Sequence, residues 1–264
     1  MQKISIDIWQ SDFLNSTPLF KSLRSVAAPF AGKTDWPTLM DLAAEFNARD
    51  SAITPVTQGG KPGSLEEKYE SRIYRLGELQ TREANWHDLF NAFIWLQFPK
   101  TNTVLNSLHY QASLARPEKT NRGSLENVIA GFDESGAIII SRREDLLQMI
   151  RNYEWHKLFV DNRAAFGTDI HCLIFGHALF EKALSPYVGT TAQSLLICCD
   201  ASLHNDVPAL DARVAAIWQQ GGVMNTRDLE SFPLLGVPGW YAQQDADFYA
   251  NQKYFRLKPE RKFV

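Results

Sequence analysis

The apolar positions of this chain fall mostly at intervals of three and four, the spacing of one helix face. Leu39, Leu42, Ala43 and Phe46 mark a helix over 36–49, with Asp35 as N-cap and Pro37 in its first turn. Ahead of it, 1–35 reads as irregular apart from a short helix over 18–26. The run TPVTQGGKPG at 54–63 is the clearest loop. Ser64 with Glu67 forms a capping-box pattern and predicts a helix that stops at Gly77. Asn85 caps the next helix, whose apolar positions are Trp86, Leu89, Phe90, Phe93, Ile94, Trp95, Leu96 and Phe98. Pro99 ends it, and a further helix over 100–114 carries Val104, Leu105 and Leu108.

After a loop at 116–121 the period changes. ENVIAGFDESGAIII holds two β-type runs around Asp133, Glu134, Ser135 and Gly136, which predicts a hairpin over 125–140. Ser141 with Glu144 is a second capping-box pattern, and its helix carries Leu146, Leu147, Met149 and Ile150. A related segment continues through Trp155, Leu158 and Phe159. The stretch 169–184 fits strand or helix; its length and its helix-forming end favour helix, closed by Pro186. TTAQSLLICCD reads as a buried strand ending at Asp200, and 208–220 as a helix stopped by Gly221 and Gly222. The remainder, 231–264, is aromatic and irregular. The expected architecture is a predominantly helical α+β fold. Helices pack around a small sheet that includes the 125–140 hairpin, in one globular domain over 1–264.

Composition narrows the function classes. The chain has 264 residues, 45% hydrophobic and 22% charged, and needs no covalent staples at that size. A net charge of −3 argues against a nucleic-acid binder driven by phosphate contacts. Arg72, Arg75 and Arg82 are close in sequence but read as a solvated helix face. Three cysteines, Cys172, Cys198 and Cys199, show no CxxC spacing, so a reducing, cytoplasmic setting is expected. MQKISIDIWQ has no charged segment leading into an apolar run, so no signal peptide is expected. No stretch reaches the roughly 18 apolar residues of a membrane span.

Candidate chemistry sits inside the apolar helices. His87, Asp88 and Asn91 are set into the aromatic run, where a polar group is costly unless paired. His87 and Asn91 share a helix face, and a histidine with a carboxylate beside it is a base with its orienter. The bland alternative is equally concrete: Asp88 in a first turn complements the helix dipole. His177 and Glu181, at i and i+4, could hold one divalent metal ion. Asp133 and Glu134 add two carboxylates at the expected hairpin turn, where such residues are common in any case. Cys198, Cys199 and Asp200 end a strand but lack an adjacent base, which favours small core residues over a nucleophile. His109, His156, His171 and His204 have no partner that sequence can name. GxGxxG, GxxxxGK[ST], GxSxG, HExxH and CxxC are all absent.

Four segments carry a resemblance. TREANWHDLFNAFIWLQFPKTNTVLN, GFDESGAII, FGHALFEKAL and PLLGVPGWYAQQDADFYANQKYFR occur in order between 69 and 256. They resemble a bacterial family, domain of unknown function three-zero-two-five. The resemblance implies a bacterial, single-domain protein and implies no activity. It groups His87, Asp88, Asn91, Asp133, Glu134, His177 and Glu181, and draws in Arg82 and the turn at Pro238, Gly239 and Trp240. The leading expectation is a hydrolase-type enzyme. In it His87, Asp88, Asn91 and Arg82 do acid–base work, and His177, Glu181, Asp133 and Glu134 serve a divalent metal. A His-Asn-His nuclease is a narrower version, since Asn106 and His109 follow His87 and Asp88. The hairpin, however, comes after the helix rather than before it. The rival classes are a non-catalytic small-molecule binder and a structural, partner-binding protein with a buried polar network. Membrane and nucleic-acid partners are not expected.

Overall fold

The computed structural model describes residues 8–60, 63–64, 66–117 and 120–258. The expectations for the N-terminal decapeptide, the 54–63 loop, the 64–67 capping box, the 116–121 loop and the C-terminal tail lie partly outside these. Two short helices, α1 (Phe13–Ser16) and α2 (Arg24–Ala27), flank a 3₁₀ turn at Pro18–Leu23. Then follow α3 (Leu39–Ala48), β1 (Thr54–Thr57), α4 (Tyr69–Leu76), β2 (Glu78–Thr81), α5 (Trp86–Gln97), α6 (Pro99–Ala115) and α7 (Ser124–Ser135). The second half holds β3 (Gly136–Ser141), α8 (Glu144–Arg151), β4 (Ile170–Ile174), α9 (His177–Ala183), β5 (Thr191–Cys198), α10 (Val207–Gln219), β6 (Glu230–Pro233) and α11 (Ala246–Tyr249). The fold is α+β and predominantly helical. Among the described residues no helix is long and apolar enough to cross a membrane.

A four-stranded sheet runs in the order β4-β3-β5-β6. β3 and β5 are parallel, and the two outer strands are antiparallel to their neighbours. Every residue of β3 is buried, as a strand covered on both faces requires. Helices α7 and α8 pack on this sheet, and α5 packs on α9. A separate parallel pair, β1 with β2, is joined through α4. Gly77 ends α4 in the left-handed conformation, φ 68°, where a Cβ would meet the Ala52 carbonyl.

Several boundaries differ from the sequence reading, each for a local reason. The 36–49 helix begins only at Leu39, because Thr38 and Asp41 form a reciprocal capping box that outcompetes Asp35. Residues 54–57 are strand rather than loop, paired in register with 78–81. The helix assigned to Ser64 starts at Tyr69, and Glu67 accepts instead from the Gly63 amide. The 125–140 hairpin does not form. Glu126 accepts the Gly123 amide at 2.9 Å and starts a helix that runs to Ser135, so only 136–141 is strand. The 169–184 stretch is a strand and a helix broken at Phe175 and Gly176. Part of the tail pairs as β6 with β5.

The apolar core is continuous from Trp9 to Phe255. Its aromatic spine carries Trp9 onto Trp86, Trp86 onto Phe90 and Phe90 onto Phe180. Phe90 and Phe180 clamp α5 to α9, and one turn back from each lies a histidine: His87 and His177.

Candidate functional site

Helix α5 is buried around its whole circumference, with one exception: His87 is the only residue of Trp86–Gln97 that is not. The helix start is fixed from two sides. Asn85 accepts the Asp88 amide at 3.0 Å. Asp88 in turn accepts three hydrogen bonds from Arg82: from its backbone amide at 2.7 Å, Nε at 2.9 Å and Nη2 at 2.8 Å. This charge-assisted clasp ties the end of β2 to the first turn of α5 and sets where His87 emerges.

Helix α9 begins abruptly after Gly176. The amides of Phe175 and Gly176 both donate to the Gly136 carbonyl, at 2.9 and 2.8 Å. A Cβ at Gly176 would lie 2.4 Å from the Gly136 nitrogen, so only glycine allows this approach. The contact brings the first residue of α9 against the last turn of α7, which carries Asp133 and Glu134.

The two histidines meet. His177 Nε2 lies 3.0 Å from His87 Nε2, with the rings nearly perpendicular at 86°. Each ring's other nitrogen faces a carboxylate. His87 Nδ1 is 2.9 Å from Glu181 Oε2, and His177 Nδ1 is 3.7 Å from Asp133 Oδ2. The second distance is too long for a hydrogen bond, and among the described residues the buried His177 Nδ1 has no hydrogen-bond partner; that contact is electrostatic. Glu134 Oε2 is 3.8 Å from His177 Nε2. One ligand atom each from His87, His177 and Glu134 lie within 4.8 Å of one another. Burial works against charge on His177, but the neighbouring carboxylates, Asp133 first, outweigh it and hold its pKa above the usual value.

Asp133 and Glu134 also line a cavity of about 130 Å³, together with Tyr69, Glu70, Asn106 and His109. Asn106 donates to the Glu70 carboxylate and to its backbone carbonyl, both at 2.9 Å. Burial, and then the charge of Asp133, push Glu70 up to about 7. Burial raises the Tyr69 phenol, which accepts from Asn91 at 2.5 Å. Burial and then Arg122 lower His109.

The predicted residues therefore divide. His87, His177, Glu181, Asp133 and Glu134 come together. Asp88 and Arg82 bind each other beside them, and Asn91 reaches Tyr69 instead of sharing a partner with His87. Glu181 does not join His177 from the same helix face; it crosses to His87. Asp133 and Glu134 arrive from a helix end, not a hairpin turn. The turn at Pro238, Gly239 and Trp240 is held by Gln244, which accepts the Gly239 amide. Asp200 caps the short helix Ala201–Asn205. The cysteine thiols are all held up, Cys172 by burial, the reverse of what a nucleophile needs. Sequence reasoning missed Tyr69 and Glu70, and it weighed Asn106 and His109 only as parts of a nuclease motif, not as a wall of this cavity. One signal was present: Asn102, Asn106 and His109 recur at helical spacing and form a buried polar stripe on α6.

The model of a family described as Protein of unknown function (DUF3025) matches residues 54–261, a span that contains every residue of the cluster. No curated protein and no solved structure matches the chain.

Proposed function

The chain belongs to that family of unknown function, and from the geometry of its histidine pair we propose that it is a divalent-metal-dependent enzyme of hydrolase type. One observation carries the reading. Two imidazole Nε2 atoms face each other across 3.0 Å with a carboxylate beside them, while each Nδ1 faces a second carboxylate. With one proton between them the two nitrogens make an ordinary N–H···N hydrogen bond; with both unprotonated, their lone pairs and the Glu134 carboxylate offer three donor atoms to one ion. They are what a cation requires. Outer carboxylates that orient the ligating imidazoles are the usual accompaniment. His87, His177 and Glu134 are the proposed ligands, Glu181 and Asp133 the orienting groups. Two histidines and a glutamate are a ligand set of catalytic zinc, and an ion held by them would supply a bound water with its pKa lowered to about 7. Arg82 and Asp88 hold the helix that bears His87.

The setting fits a small-molecule enzyme of the bacterial cytoplasm. The three cysteines are unpaired, as in a reducing compartment, and one continuous core supports a single-domain reading of the chain.

Calorimetric titration of the chelator-stripped protein with zinc tests the metal reading. One equivalent is expected to bind, and His87→Ala and His177→Ala are each expected to abolish that binding. Chromogenic ester and phosphoester turnover should follow zinc occupancy. Wild-type protein that takes up no divalent metal contradicts the reading and leaves the histidine pair as a buried polar network.

A further inference from the structure

The cavity beside the cluster is unbalanced in its hydrogen-bonding groups. Asn102 is buried, and its amide nitrogen donates to the Ile94 and Phe98 carbonyls at 3.1 and 3.0 Å. Asn106, also buried, donates to the carbonyl and carboxylate of Glu70. Carbonyls only accept, so the orientation of both amides is fixed by chemistry. Each Oδ1 is left over, and among the described residues neither accepts a hydrogen bond. His109, 7% exposed and part of the same wall, has an Nδ1 without a partner among the described residues, which donates or accepts according to the ring's tautomer. The carboxylates of Glu70, Asp133 and Glu134 add further acceptors. Against them stand the donors of Tyr69, Asn91 and Trp95, none of them charged, and Arg122, which is exposed; one Asn91 N–H already goes to the Tyr69 oxygen.

Buried polar side chains keep open valences only where something fills them. The missing partner is a donor, and the surplus of carboxylates asks for a positive one. Burial first, and then the charge of Asp133, hold the Glu70 carboxyl up to about 7, so a cation seated beside it would favour its ionised form. The room is limited. An apolar cavity of about 150 Å³ holds benzene, so 130 Å³ admits a group of about six non-hydrogen atoms.

We propose that this cavity binds the primary ammonium group of a small substrate, with Glu70, Asn102 and Asn106 as its acceptors. An ammonium carries three donors and no acceptor, the complement of this wall. The proposal rests on the metal-dependent reading only in placing the bound amine next to the reaction. None of the three acceptor residues is among the proposed metal ligands.

The test titrates the full chain near neutral pH with propylammonium and, separately, with propionate. Both titrations are run with and without one equivalent of zinc and followed by NMR. Propylammonium is expected to bind in both states, about tenfold tighter than propionate or better. Glu70→Gln is expected to weaken it by about tenfold while zinc affinity stays unchanged, which also reports that the variant is folded. Binding should release protons to the buffer near pH 7, because the cation lowers the Glu70 pKa. Preference for propionate would instead mark an anion site built on Arg122. Absence of binding up to roughly 100 mM would mark a cavity filled by water alone. Either outcome, or undiminished binding by Glu70→Gln, overturns the proposal. Amine binding without zinc binding would contradict the metal reading and leave this one standing.

Discussion

Glu70 shows how far single residues can be read. In the sequence it belongs to a charged stretch, LEEKYESR, that looks like a solvated face. In the fold it is packed under α6 with Asn106 on its carboxylate. Periodicity gives the apolar face of a helix, but which polar residue the next helix covers depends on tertiary packing. His87 and His177 were legible because a titratable group in an aromatic run is conspicuous. Asp88 and Arg82, expected to do acid–base work, instead bind each other in a clasp that the sequence did not show. The raised pKa of Glu70 has a consequence for stability. A carboxyl that holds its proton more tightly folded than unfolded stabilises the fold at low pH. That contribution is full below its unfolded value of 4.5 and is lost as pH rises through about 7. Glu70→Gln removes it. The stability of the wild type relative to Glu70→Gln is therefore expected to fall by on the order of 2–3 kcal/mol between pH 4.5 and 8. Chemical denaturation of both proteins across that range reads it. A pH-independent difference would mean that Glu70 titrates normally.

At the scale of elements, helix ends place the chemistry. Glu126 starts α7 and Gly136 follows its end, so Asp133 and Glu134 sit in a last helical turn. Their Asp-Glu-Ser-Gly sequence satisfies a hairpin turn equally well, which is why the turn reading was available and failed. The 169–184 stretch failed in a similar way. A buried apolar run has no period that separates strand from helix, and the break at Gly176 carried the information. Asn85, Pro99 and Gly77 marked their boundaries correctly because capping and termination are local chemistry. Gly176 also sets the distance between α9 and α7. Gly176→Ala places a methyl group against the backbone of Ser135 and Gly136, which cannot move aside as a side chain could. It is expected to cost about 2 kcal/mol or more and to weaken zinc binding by drawing His177 away from Glu134. Thermal unfolding and zinc titration of the variant check both. Wild-type values in each would show that the close approach does not govern the site.

At the scale of the whole molecule, three helices deliver the cluster from distant parts of the chain; His87 and His177 are 90 residues apart. The α+β class was legible from the mixture of periods. The convergence was not, because it depends on the order of the sheet strands and on the Phe90–Phe180 contact between α5 and α9. In the proposed function this convergence makes a metal centre. X-ray absorption at the zinc edge, on protein carrying one equivalent, tests it most directly. The expected first shell has two imidazole nitrogens at about 2.0–2.1 Å and carboxylate or water oxygen at about 2.0–2.2 Å. A shell with sulfur at about 2.3 Å, or one without imidazole scattering, would place the zinc elsewhere and contradict the account.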